Sequence, residues 1–303
     1  MIRTIILLLI TIVVVPLIAI RYDSVTPETL SLLKELVAIA LGVALFTYTV
    51  AEITGNCSQI DKLWSLLPIG YSWYVYAQFP TSRVLLMAIM ASVWGLRLTY
   101  NFARRGGYSW KFWTGEEDYR WEVLRKKPFL NTPWKWRLFN LFFISGYQSL
   151  LILFFTLPVV VVAQAGDAPP TMFDYLIAAA LLTFVVLETI ADQQQWTYQT
   201  EKYRRKNAGE ALGEEYARGF VNSGLWGIVR HPNYASEQAI WICFYLFSAS
   251  ATGRPVNWSV MGVLLLILLF QGSADFSEGI SEEKYPAYAD YKKKVGRYLP
   301  KLF

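Results

Sequence analysis

The residues able to do chemistry in this 303-residue chain fall into four groups. Glu188, Asp192, Gln195, Gln199 and Lys202 follow one another at spacings of four, three, four and three, which puts all five on one face of a helix. Two acids four apart with no cation beside them exceed what a hydrogen-bond seam between helices needs, so this face reads as the polar wall of a ligand cavity. Arg230 and His231 precede Pro232, Asn233, Tyr234 and Glu237. Proline disfavours helix at the residue before it, so a helix is expected to begin near Asn233 as N-cap. Arg230, His231 and the first backbone N–H groups would then converge at a positive helix end suited to phosphate or diphosphate. Asn56, Ser58, Gln59, Asp61 and Lys62 form the third group, in which Asp61 could move a proton; as structural residues, Ser58 and Asp61 would be the cap and first turn of a helix. Arg97, Tyr100, Asn101, Arg104 and Arg105 form the fourth, where a deeply placed Arg97 needs an anionic partner.

The elements that hold these groups are membrane spans. Hydrophobic residues make up 54% of the chain, aromatic residues 16% and charged residues only 17%, with a mean hydropathy of +0.31. A soluble domain carries about 25% charged residues, and a disordered chain has low hydrophobicity and high net charge; both classes are excluded. Apolar runs of the length needed to cross a bilayer occur near 4–20, 31–53, 63–79, 84–102, 138–163, 172–191, 235–252 and 257–274. The expected fold is all-α, a polytopic membrane helix bundle of about eight transmembrane helices. The first run has no small-residue cleavage site and reads as a retained anchor over residues 1–29, with the main domain over 30–303.

The formal charge of +5 suggests nucleic acid only until the cations are placed. Segments 103–137, 192–234 and 275–303 hold nine, six and six Lys and Arg, 21 of the 28 in the chain. Eight spans put all three on one side, the positive-inside pattern, with both termini cytoplasmic. The basic excess is thus expected to be a topology signal and a contact with the lipid bilayer, with no nucleic acid as partner. Trp110, Trp113, Trp121, Trp134 and Trp136 crowd the first of these segments, as an interfacial aromatic belt does. One histidine and two distant cysteines, Cys57 and Cys243, supply neither a disulfide framework nor a metal site. No glycine-rich dinucleotide loop, Walker loop or nucleophile elbow is present.

The run from Gly224-Leu225-Trp226 through Arg230-His231-Pro232-Asn233-Tyr234 to Glu237, with the upstream Glu188-x3-Asp192-Gln193-Gln194 and the Tyr285-Pro286-x-Tyr288-x2-Tyr291-x7-Leu299-Pro300 tail, resembles the steroid 5-alpha-reductase C-terminal-domain superfamily over roughly residues 50–303. Its bacterial members are the nearest branch, which implies a bacterial inner-membrane location. The resemblance implies a membrane reductase that transfers a hydride from NADPH to an activated C=C bond of a lipophilic, steroid-like or isoprenoid small molecule. It also implies cofactor contacts at Asp192, Asn233 and Glu237, with Arg230, His231 and Tyr234 from the sterol-reductase form of the motif. Gln195, Gln199 and Lys202 extend that wall, and Lys202, Arg204 and Arg205 are candidates for the 2′-phosphate. The family's substrate-binding Gln-Glu pair has an approximate counterpart in Gln59 and Asp61. Its catalytic tyrosine falls near Trp94, leaving Tyr100 as the nearest phenol and Asp61, Gln59 and Tyr100 as the catalytic set. Isoprenylcysteine carboxyl methyltransferases are similar over the same stretch, so S-adenosylmethionine and a lipid methyl transfer form the alternative, with a non-enzymatic membrane protein of the same fold as the third. Asn233 leans towards the reductases, because the methyltransferases tend to carry serine there.

Overall fold

The structure, a computed structural model, describes residues 10–23 and 25–301. It is helical throughout, and among the described residues the one β-type contact is an isolated parallel bridge between Val229 and Gly296. The start of the amino-terminal run at 4–20 lies outside the described residues; the rest is a π-helical turn over Ile10–Val14 and α1, Val15–Tyr22. There follow α2 (Pro27–Thr54), the short α3 (Gln59–Leu63), α4 (Leu66–Gln78), α5 (Ser82–Ala103), α6 (Tyr119–Arg125) and α7 (Pro133–Phe139). A π-helical stretch over Asn140–Tyr147 leads into α8 (Gln148–Thr156) and α9 (Pro158–Gln164). The remainder comprises α10 (Met172–Asn207), α11 (Gly213–Ala217), α12 (Leu225–Ile228), α13 (Pro232–Thr252), α14 (Val260–Lys284) and α15 (Tyr288–Lys294).

Among the described residues, five helical segments are long and apolar enough to cross a membrane: Pro27–Thr54, Ser82–Ala103, Pro133–Gln164, Met172–Asn207 and Val260–Lys284. They mark the chain as a multi-pass membrane protein. The run expected at 63–79 becomes α4, whose 13 residues reach only about 20 Å at 1.5 Å per residue. The run at 235–252 is the 21-residue α13, long enough but too polar in its first turns to qualify.

The chain divides into two compact units. One comprises Met1–Ile177 with Phe244–Leu265, the other Ala178–Cys243 with Leu266–Phe303. The division falls inside α10, α13 and α14 rather than after the amino-terminal run.

In the first unit α8 and α9 form the core. Leu, Ile, Phe and Val surround this helix on all sides, and a helix apolar all round must be buried; Leu151, Ile152, Phe155, Val159 and Val160 are at most 1% exposed. Pro158 breaks the α-helical ladder there, with Leu157 N turning back to Phe154 O at 3.3 Å. The first turn of α14 crosses this core so closely that a Cβ on Gly262 would lie 2.0 Å from Phe154 O, a position only glycine fills. The start of α10 is fixed by a capping exchange. Thr171 N and Oγ1 donate to Asp174 Oδ2 at 2.7 and 2.9 Å, and Asp174 N returns to Thr171 Oγ1 at 3.4 Å. Arg83 at the start of α5 completes it with a buried ion pair, Nε to Asp174 Oδ2 at 3.1 Å.

In the second unit a small aromatic core of Phe220, Tyr288 and Tyr291, joined by Tyr285 and Val295, packs the carboxyl-terminal segment against the loop after α11. Gly219 makes this possible. Its φ is +90°, and a Cβ there would overlap the Tyr285 ring at 2.0 Å.

Candidate functional site

The seam of the second unit begins on α10. Glu188 and Asp192 are each 4% exposed, one turn apart. Opposite them α13 begins two residues earlier than expected: Ala235 N bonds to His231 O at 2.9 Å, so His231 holds the cap position and Pro232 is the first helical residue. Proline suits that place because its missing N–H has no helical partner there. Asn233 is therefore inside the first turn, and its side chain is directed sideways. Its Nδ2 donates to Asp192 Oδ1 at 3.4 Å while its Oδ1 accepts from Tyr234 N at 3.0 Å. Glu237, 4% exposed, accepts from Trp241 Nε1 at 3.1 Å. Asp192 and Asn233, 41 residues apart in sequence, thus meet, with the buried Glu237 one turn further along α13. Gln195, one turn along α10 from Asp192, has a buried Oε1 without a hydrogen-bond partner. Gln199 lies half-buried beyond it.

Arg230 and His231 have a different role from the expected phosphate clamp. Both turn to Glu278 of α14, a carboxylate 1% exposed. Arg230 Nε and Nη2 donate to its two oxygens at 2.9 and 3.4 Å, and His231 Nε2 lies 2.9 Å from Oε1. Arg297 Nη2 reaches Oε2 at 3.1 Å and Lys292 Nζ at 3.5 Å. The backbone closes the same knot: Arg230 N donates to Gly296 O at 2.8 Å and His231 N to Arg297 O at 3.1 Å. The His231 ring stacks on Tyr234, centroids 5.2 Å apart at 10°, and Tyr234 packs on Phe270. The cations that sequence assigned to a ligand are neutralised by a buried acid and fasten the carboxyl-terminal tail to the start of α13. The available sequence signal for Glu278 was its register with Asp275 and Glu282, three and four residues away on one face of α14, opposite a tail rich in cations.

Lys202 also departs from a simple exposed cation. Its Nζ donates to Gly219 O at 3.0 Å and stands 5.7, 5.2 and 5.8 Å from the ring centroids of Tyr198, Tyr203 and Tyr285. Arg204 and Arg205 are held by carboxylates instead, Arg204 by Glu201 and Glu210 and Arg205 by Glu201.

Gln59 and Asp61 lie in the first unit, in a network built on α3. Gln59 is buried. Its Nε2 donates to Asn56 O at 3.1 Å and Trp113 O at 3.0 Å, and its Oε1 accepts from Lys62 Nζ. That leaves its amide no spare donor for a substrate carbonyl. Lys62 Nζ holds Phe112 O and Thr114 O at 2.9 and 2.7 Å, so the pair clamps the loop after α5. Ser58 holds the N-cap position of α3 and Asp61 its first turn, as read from sequence, but the Ser58 hydroxyl makes no cap bond; it accepts from Asp118 N at 2.9 Å and Trp121 Nε1 at 3.2 Å. Asp61 Oδ2 accepts from the same indole at 3.2 Å. Packing around the carboxyl, and then the negative charge of Asp118, push Asp61 above the usual carboxylate range. Tyr100 is 68% exposed on α5, with Arg104 over its ring, and no hydrogen bond joins it to Gln59 or Asp61. Trp94, where the resemblance places a tyrosine, is buried in the core. Of the tryptophans in the basic segment, Trp110, Trp113 and Trp134 face outwards as a belt would, whereas Trp121 is a core residue that orients Asp61.

Two outcomes follow from these arrangements. Removing one partner of a buried charge cluster costs about 3–5 kcal/mol, so Glu278→Ala destabilises the detergent-solubilised protein by that order and opens segment 285–301 to protease. A melting temperature and tail protection equal to wild type would contradict the role of this carboxylate. An acid whose pKa rises on folding holds its proton more tightly folded than unfolded. Its favourable contribution is full below the ordinary carboxylate range and is lost as pH rises through the raised value. Asp61→Asn, which keeps an acceptor for Trp121, therefore melts no lower than wild type at neutral pH, and any advantage disappears near pH ~4. A variant markedly less stable at neutral pH would contradict the raised value.

Comparison with known proteins fits this description. Residues 47–295 match the family described as "Protein of unknown function (DUF1295)". The chain is 36% identical over 262 residues to the "Uncharacterized protein C594.04c" of Schizosaccharomyces pombe, an alignment covering 82% of this chain and 74% of that one. No solved structure matches it. With the matched span running from the end of α2 through α15 and taking in the whole Asp192–Asn233–Glu278 arrangement, the chain belongs to the DUF1295 family, which is steroid 5-alpha-reductase-like in broad terms.

Proposed function

We propose that this chain is a membrane-embedded NADPH-dependent reductase that adds a hydride to an activated C=C bond of a lipophilic, steroid-like or isoprenoid substrate. One observation carries the proposal: Asp192 and Asn233 meet at 3.4 Å with Glu237 buried in the next turn of α13, and these are the three positions to which the family resemblance assigns the cofactor. The donor and acceptor types fit such a ligand. The Asp192 carboxylate accepts from ribose hydroxyls or a carboxamide, and the unpartnered buried Gln195 Oε1 adds an acceptor on the same face. Lys202 supplies a cation that no carboxylate pairs with among the described residues. A reduced nicotinamide, when bound, supplies the hydride. In the first unit, Asp61 is an acid whose carboxyl keeps its proton above the usual range, with Oδ2 held by the Trp121 indole. In this reading Arg230 and His231 hold the start of α13 in place rather than touching phosphate.

The positive-inside distribution supports a cytoplasmic location for segments 192–234 and 275–303, at the inner membrane if the chain is bacterial. NADPH raises the melting temperature of the purified protein, S-adenosylmethionine does not, and Asn233→Ala abolishes the NADPH effect while remaining folded. Stabilisation by S-adenosylmethionine alone would instead support a lipid methyltransferase. Unchanged NADPH stabilisation in Asn233→Ala would refute the assigned pocket.

A further inference from the structure

Lys202 lies at the end of the α10 seam in a setting built for a positive charge but left without a negative one. Three tyrosine faces, at 5.2 to 5.8 Å, attract an ammonium group without neutralising it. Lys284 Nζ shares one of those rings, 5.5 Å from the Tyr285 centroid. Lys206 follows Lys202 by one helical turn, a like-charge spacing that is unfavourable by itself. The charges that bear on the Lys202 ammonium, those of Lys284 and Lys206, are both positive. No carboxylate pairs with any of the three among the described residues. The neighbouring acid Glu201 is occupied by Arg204 and Arg205. The platform is rigid as well: Tyr285 presses on Gly219, where a Cβ would overlap it, and its ring is backed by Phe220, 6.1 Å between centroids.

We propose that Lys202 and Lys284, which share the Tyr285 ring, together with Lys206 one turn along α10 from Lys202, form a binding site for a phosphomonoester dianion. A dianion with three exposed oxygens suits a cluster of ammonium groups that no carboxylate pairs among the described residues, and it relieves their mutual repulsion. Such a group reaches the site either as the 2′-phosphate of an adenine nucleotide or as the headgroup of a phosphatidate-like lipid. The nucleotide source rests on the reductase reading; the lipid source does not.

The test uses the full chain in phosphatidylcholine nanodiscs. One arm compares binding of 2′,5′-ADP with ADP-ribose, whose phosphates are all diesters. The other compares retention of phosphatidic acid with phosphatidylglycerol, a diester lacking the dianion. Lys206→Gln/Lys284→Gln removes two exposed lysines, and its unliganded melting temperature checks the fold. The site predicts that the monoester is preferred over its control in at least one arm by about tenfold, and that the double variant loses that preference. Preference for 2′,5′-ADP assigns the nucleotide source, and preference for phosphatidic acid assigns the lipid. No monoester preference in either arm, or preference undiminished in the folded double variant, overturns the site. Lysine-dependent monoester binding by a protein that NADPH fails to stabilise would sink the reductase reading while leaving the site standing.

Discussion

The second unit depends on one buried carboxylate. Glu278 gathers two guanidinium groups, an imidazole and an ammonium around two oxygens. Desolvating one acid is costly, but here the cost is offset by charge-assisted bonds from every side. What the cluster achieves is positional. Residues 230 and 231 are pinned through both backbone and side chain to the tail, so the first turn of α13 is held where Asn233 can face Asp192. The polar seam that could receive a ligand is thereby supported by a charge knot that the ligand need not touch. Separating support from contact lets the contacting residues remain neutral or acidic, while the uncompensated cations sit further along α10.

Much of this was legible in the sequence. The register from Glu188 to Lys202 predicted one helix face, and α10 presents it, with Asp192 buried against Asn233. The apolar runs predicted most of the long helices, because apolar length is a strong local signal. What was not legible depended on distant partners. Arg230 and His231 looked like ligand donors because nothing nearby in sequence neutralises them; their acid arrives 47 and 48 residues later. Gln59 was assigned to a substrate carbonyl by the family resemblance, but the loop carbonyl that uses its amide comes 54 residues on. Proline signalled a helix boundary correctly, but its preference for the first helical position moved the cap from Asn233 to His231.

The two groups of candidate residues differ in character. The Asp192–Asn233–Glu237 seam combines buried acids with amides, a composition suited to sugar hydroxyls and carboxamides. The Asp61 group is an acid tuned upward by its packing and oriented by an indole, on a helix whose other polar residues, Gln59 and Lys62, are taken up in holding a loop. The first composition suits recognition of a polar cofactor, and the second suits holding a proton.

Native mass spectrometry of the protein released from gently solubilised membranes tests the central claim most directly, because it identifies whichever nucleotide travels with the chain. The reductase reading predicts a bound mass equal to NADP⁺ or NADPH, absent from Asn233→Ala purified in the same way. A bound mass equal to S-adenosylmethionine or S-adenosylhomocysteine, or an NADP mass that persists undiminished in Asn233→Ala, would contradict it.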